Sequence, residues 1–190
     1  MPRLHREERH DTSVLRSGRI RHNTGNGNSI FVEENIMAVN PIPEGYHTVT
    51  PYLTVADAAA QIDFLKRAFG AKETFRHADD KGNVSHAEVR VGTSMIMIGQ
   101  ARGQWTPRPA ILYLYVEDVD AVYKRAVEAG GKPVQGPADQ AYGDRSGGVE
   151  DSQGNQWWIG THIEEVSPEE IQRRYSEMAK KQAAGAGQAK

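Results

Sequence analysis

The sequence predicts an α+β domain built from two tandem βαβββ modules and followed by a C-terminal helix. Three observations support this. The order β-α-β-β-β is readable from Val49 to Ile98, it recurs from about Ala110 to Gly160, and a helix-start signal follows the second copy.

The first module opens with Val49 to Val55 (VTPYLTV), which alternates like a half-buried strand. Asp57 is an N-cap residue, and Ala58 to Phe69 sets Ile62, Leu65 and Phe69 on one helical stripe. Gly70 stands where a left-handed C-terminal glycine belongs. Strands follow at Glu73 to His77, Val84 to Val91 and Ser94 to Ile98, separated by Asp79-Asp80-Lys81-Gly82-Asn83 and by Gly92-Thr93. The second copy matches in order. Tyr52-Leu53-Thr54-Val55-Ala56-Asp57 answers to Tyr113-Leu114-Tyr115-Val116-Glu117-Asp118, and Lys66-Arg67-Ala68 to Lys124-Arg125-Ala126. Gly70-Ala71-Lys72 answers to Gly130-Gly131-Lys132, and Met97-Ile98-Gly99 to Trp158-Ile159-Gly160. The boundaries expected are therefore a domain over 46–166, with modules of about 46–100 and 110–166 joined by the proline-bearing linker Ala101 to Ala110. Ser167-Pro168-Glu169-Glu170 is a capping box with proline at the first helical position, predicting a helix to about Lys181 and a frayed tail to 190. Residues 1–45 are read as a disordered extension, because arginines alternate with acids up to Ile36 with little apolar periodicity.

Composition narrows the function classes. The 190 residues include no cysteine, which removes disulfide scaffolds, thiolate metal sites and thiol nucleophiles. A net charge of −2 gives no global reason to expect nucleic acid as a partner, and no apolar run has the length of a membrane span. The expectation is a cytoplasmic protein with neither nucleic acid nor membrane as partner.

Strand alternation separates a core face from a possible site face. On Val84 to Val91, Ala87, Val89 and Val91 belong to the core, while His86, Glu88 and Arg90 share the other face. Tyr52, Tyr113 and Tyr115 alternate with core positions, and Trp158 shares a side with Gly160 and His162. Trp157, of opposite parity, is assigned to the core. Four aromatic side chains on one face suit an organic-ligand pocket better than free solvent. For His86, Glu88 and Arg90 two readings stay open, a pocket wall or a solvated face with cross-strand charge pairs. His86 and Glu88, two apart on one strand face, are also a candidate acid–base pair. In the loop Gln140 to Gly148, Arg145 either locks the loop by an ion pair, with Asp144 or nearby, or reaches the mouth of the site; Tyr142 is a further candidate.

The paired modules, each opening with a hydrophobic-Tyr-Leu-x-Val-x-Asp step, resemble the vicinal oxygen chelate superfamily of glyoxalases, dioxygenases and bleomycin-binding proteins. The segments PYLTVADAAAQIDFLKRAFGA, HAEVRVGTSMIMIG and YGDRSGGVEDSQGNQWWIGTHIEEVSPEE resemble its PhnB-like group. The resemblance implies curved mixed sheets around a cavity and, in metal-dependent members, a ligand from the first and last strand of each module. Aligned through the shared motifs, those positions are Thr50, Met97, Ile111 and Trp158, none of which is the His or Glu that such ions need. No metal and no cofactor are therefore expected. The expected function is binding of a small organic ligand by Tyr52, Arg90, Tyr113, Tyr115, Tyr142, Arg145, Trp158 and His162, in a homodimer like those of relatives that cover their sheet edges. The alternatives are a lyase- or dioxygenase-like enzyme with an unconventional site around His86, Glu88 and His162, and an interaction module whose C-terminal helix docks a partner.

Overall fold

The computed structural model describes residues 16–23, 29–36 and 39–186. The chain divides into a unit up to Tyr46 and a unit from His47 onward. In the first, β1 (Arg16–Asn23) and β2 (Ser29–Ile36) form an antiparallel ribbon in which Arg19 stands opposite Glu33 and Ile20 opposite Val32. Both strands fall within the stretch read from the sequence as a disordered extension. Residues 1–15, 24–28 and 37–38, to which the same expectation applies, lie outside the described residues.

The second unit holds both modules. The first runs β3 (Tyr52–Val55), α1 (Ala58–Phe69), β4 (Lys72–Ala78), β5 (Val84–Val91) and β6 (Ser94–Gln100). The second runs β7 (Ile111–Tyr115), α2 (Val119–Glu128), β8 (Lys132–Asp139), β9 (Asp144–Glu150) and β10 (Gln156–His162), and α3 (Pro168–Ala186) follows. The sheets have the orders β3-β6-β5-β4 and β7-β10-β9-β8 and are both open. In each, the first strand pairs parallel with the last, so Tyr52 lies opposite Met97 and Tyr113 opposite Trp158. The structure is the α+β pair of modules read from the sequence. β3 begins three residues later than expected, because Pro51 has no N–H to offer a ladder, and Val49 is exposed.

The helices form for the predicted reasons. Asp57 and Asp118 accept hydrogen bonds from Ala60 N and Ala121 N, closing the first turns of α1 and α2. Gly70, at φ 65°, ends α1 in the left-handed conformation that a side chain resists. Each helix start is also held by the last strand of its own sheet: Gln100 Oε1 accepts from Ala58 N, and Thr161 Oγ1 from Val119 N. The stripe of α1 buries Ile62 and Leu65 against Leu53, Ala87, Val89 and Ile98, and α1 also packs on α2. Each such aliphatic side chain contributes about 1.5–3 kcal/mol by burial.

A buried polar group joins the modules. Asp151, in the β9–β10 turn, accepts from Gln61 Nε2 of α1 at 2.9 Å and from Trp157 Nε1 at 2.8 Å. Asn155 Nδ2 donates to Gln61 Oε1, while Asn155 Oδ1 accepts from Ala110 N. Among the described residues no buried side-chain polar atom lacks a partner. The segment Val149 to Trp157 (VEDSQGNQW) thus connects α1 of one module to the last hairpin of the other.

Candidate functional site

Because side chains alternate along a strand, the residues that bury Ala87, Val89, Trp157 and Ile159 against the helices turn their neighbours outward. Each sheet therefore has an open face. Sequence reasoning places the aromatic candidates around one cavity. The structure divides them between two faces, and among the described residues no hydrogen bond, ion pair or ring contact joins one face to the other.

On the first face Tyr52, half exposed, lies over Gly99, where an added Cβ would meet the phenol oxygen at 2.6 Å. Its ring stacks on His86 with centroids 5.7 Å apart, and its hydroxyl lies 3.3 Å from His86 Nδ1. His86 Nε2 is 3.6 Å from Glu88 Oε1, so the candidate acid–base pair is brought together. Phe75 of β4 flanks His86. Arg90 is exposed further along β5, two residues beyond Glu88. The turn Arg102 to Trp105, closed by reciprocal backbone hydrogen bonds, carries Trp105 to the edge of this face. Tyr52 and Trp105 wall a cavity of about 500 Å³ that Ser85, Gly99, Gln100 and Arg102 also line. A second concavity of about 260 Å³ shares Trp105 and is lined by Arg108. Sequence reasoning misses Trp105, Gln100 and Arg102. The available signal is a tryptophan beside arginines in a proline-bearing linker, a place where burial in a core is not the default.

On the second face the same plan recurs. Tyr113 lies over Gly160, where a Cβ would overlap its hydroxyl. Its ring and that of Tyr115 are 5.0 Å apart, and both hydroxyls donate to Asp144 Oδ2 at 3.0 Å. Asp144, at 2% exposure, accepts a third bond at 2.8 Å on Oδ1 from His162 Nδ1. Burial alone would raise the Asp144 pKa, but the bonds from His162, Tyr115 and Tyr113 outweigh it and hold the carboxyl below the ordinary range. The His162 pKa is raised, first by its bond to Asp144 and further by Glu165, whose Oε1 is 3.4 Å from Nε2. Hydrogen bonding to Asp144 raises Tyr115, whereas burial and then Tyr142 raise Tyr113. Tyr142 also lies 3.4 Å from Ser146 Oγ, placing it at this cluster. Trp158 lies flat on the backbone of β9, and a Cβ on Gly148 would meet its ring at 3.2 Å.

Arg145 is placed elsewhere. Its guanidinium pairs with Asp120 of α2 and Asp139 of β8, on the side of the strand away from Asp144. Neighbouring strand residues point to opposite faces, so Asp144 and Arg145 cannot share a site; the ion pair that Asp144 makes is with His162, and the one that locks Arg145 is with Asp120 and Asp139.

The metal positions implied by the resemblance do not suit an ion. The Thr50 hydroxyl donates to His47 O, Ile111 is 74% exposed, and Met97 and Trp158 supply a thioether and an indole. Among the described residues no three His, Cys, Asp or Glu side chains are grouped to hold one. No helix of the described residues is long and apolar enough to cross a membrane.

Comparison with known proteins agrees with this architecture. Residues 46–159 match the model of the Glyoxalase/Bleomycin resistance protein/Dioxygenase superfamily. An uncharacterized protein of Mycobacterium bovis is 36% identical over 151 residues, covering 74% of this chain and 97% of that protein. An uncharacterized protein of Mycobacterium tuberculosis is equally similar over 74% of this chain and 86% of its own. Among solved structures, TioX from Micromonospora sp. ML1 superposes with a TM-score of 0.55 at 25% identity, covering 62% of this chain and 99% of TioX. A PhnB protein from Bacillus cereus, described as a putative 3-demethylubiquinone-9 3-methyltransferase, has a TM-score of 0.50 at 19% identity, covering 60% and 99%. On the matched residues and the paired βαβββ modules, this chain belongs to the Glyoxalase/Bleomycin resistance protein/Dioxygenase superfamily.

Proposed function

We propose that the protein binds a small aromatic molecule on the open face of its first module, without a metal. The observation that carries the reading is the cavity of about 500 Å³ walled by Tyr52 and Trp105. Its size falls within the roughly 300–1,000 Å³ of organic-ligand pockets. Two aromatic rings supply flat apolar contact, while the Arg102 guanidinium offers polar contacts to a ligand's oxygens. The probe is anilinonaphthalene sulfonate, an aromatic anion whose fluorescence rises on binding. Saturable binding should weaken roughly tenfold in Trp105→Ala, since ring stacking adds about 0.5–1.5 kcal/mol to area burial. Equal binding by wild type, Trp105→Ala and Tyr52→Ala would overturn the assignment.

A second reading, an enzyme acting by proton transfer, is favoured by the 2.8 Å bond from His162 Nδ1 to buried Asp144. That bond fixes the tautomer of neutral His162 so that Nε2 carries the lone pair. A base so oriented can take a proton from a carbon or oxygen acid, and Asp144 then stabilises the imidazolium. Under this reading the protein should speed deuterium exchange at the carbon next to the carbonyl of phenylpyruvate, and His162→Gln should abolish the effect. The His86 and Glu88 pair is the weaker candidate, because Nε2 and Oε1 are 3.6 Å apart and no buried carboxylate orients His86.

A further inference from the structure

The linker between the modules is pinned to β3 without being buried. Ala101 N donates to Val55 O at 2.8 Å, and Arg108 N donates to Thr54 O at 3.1 Å. Between these anchors Arg102 and Trp105 exchange two backbone hydrogen bonds of 2.9 Å, closing a turn in which Gly103, at φ 55°, takes the left-handed position that a side chain resists. Trp105 is nonetheless 64% exposed. An indole fixed on such a turn and left uncovered loses little freedom when a ligand stacks on it.

Charge around that ring is one-sided. Thr54 and Trp105 line both the cavity of about 500 Å³ and the concavity of about 260 Å³, with Arg102 in the first and Arg108 in the second. Among the described residues no carboxylate lines either. Glu88, on the same sheet face, lies 3.6 Å from His86 instead. Carboxylates hold Arg67, Arg76, Arg145, Arg173 and Arg174, whereas Arg102 and Arg108 make no ion pair and no side-chain hydrogen bond among the described residues. A guanidinium without a protein partner presents its whole fork of donors to oxygen anions. Two of them beside one uncovered indole suit a ligand that carries a ring together with two anionic groups.

We propose, on the basis of the aromatic-binding reading above, that the ligand of the first face is an aromatic diacid. Its ring lies on Trp105, one anionic group meets Arg102 in the larger cavity, and the other meets Arg108 in the adjoining concavity. Arg102 and Arg108 then determine specificity, because a neutral or cationic aromatic molecule leaves both guanidiniums unused.

Three probes with one naphthalene ring separate charge from stacking. N-(2-naphthoyl)glutamate is a dianion, N-(2-naphthoyl)glutamine a monoanion, and N-(2-naphthoyl)glutamine amide is neutral. In calorimetric titrations of the full chain, affinity should rise roughly fivefold with each charge, the scale of an exposed ion pair. Those steps should shrink as salt is raised from about 0.05 to 0.5 M. Arg102→Gln and Arg108→Gln should each remove one step while leaving the neutral probe's affinity and the melting transition unchanged, since both side chains are exposed. Trp105→Ala should weaken all three probes alike. Equal affinity for the three probes would overturn the charge class and leave the aromatic pocket standing. A charge preference that survives both arginine substitutions, or a single step lost in only one of them, would overturn the diacid. Failure of every probe to bind would overturn the aromatic pocket, and the diacid with it.

Discussion

Asp144 and His162 show how much one buried carboxylate organises. Three donors converge on Asp144 because Tyr113, Tyr115 and His162 leave the same face of adjoining strands. In Asp144→Asn the His162 pKa should fall back toward its ordinary value, observable as a displaced imidazole titration by NMR. The pH dependence follows from the two directions. Stability from the lowered Asp144 is present above the ordinary carboxyl pKa of 3.8 and lost as pH falls through the depressed value. Stability from the raised His162 is present below the ordinary value of 6.5 and lost as pH rises through the raised one. Wild type should therefore exceed Asp144→Asn most clearly between those two ordinary values, in melts followed across pH. The two adjacent tryptophans differ as sharply. Trp157, at 1% exposure, packs on Phe69 and donates to Asp151, so Trp157→Ala should cost about 3–5 kcal/mol in denaturant titration. Trp158→Phe, on the open face, should cost less than about 1.5 kcal/mol. Parity along β10 makes that distinction legible from the residue order alone. It cannot pair His162 with Asp144, which are 18 residues apart and meet only because β9 and β10 align in that register.

At the level of elements, the two sheets repeat one device, a first-strand tyrosine lying over a last-strand glycine. Gly160→Ala would put a methyl group into the Tyr113 hydroxyl, displacing the ring from Asp144 while the ladder of β10 stays paired. The expected result is a changed His162 titration with a near-native melting transition; an unchanged titration would show that Tyr113 accommodates the methyl without leaving Asp144. The β9–β10 turn carries a different role. Asp151→Ala removes the acceptor of Gln61, Trp157 and the Asn155 backbone N–H together, leaving three buried donors unpaired at about 1–3 kcal/mol each. Chemical denaturation should show a loss of that order. The segment containing Asp151 is the most distinctive in the sequence, yet its meaning is hidden there. Its partner Gln61 lies 90 residues away on α1, inside what reads as an ordinary amphipathic helix.

For the whole molecule, the core residues among those described lie between Leu53 and Ile159, within the unit that begins at His47. A chain beginning at His47 should accordingly keep the melting transition of the full protein, as scanning calorimetry would show; a drop of several degrees would give residues 1–46 a structural part. The sequence by itself determined the module order, the helix caps, the internal repeat, the core parity of each strand and the unsuitability of Thr50, Met97, Ile111 and Trp158 for a metal. These depend on backbone periodicity and on the donor chemistry of single residues, which are local properties. Only the tertiary structure decided that the aromatic candidates occupy two open faces, that Trp105 of the linker walls the larger cavity, and that Arg145 turns away to Asp120 and Asp139. Those outcomes depend on which strands align and how loops return across a sheet. Contacts between residues distant in sequence settle both, and no local pattern encodes them.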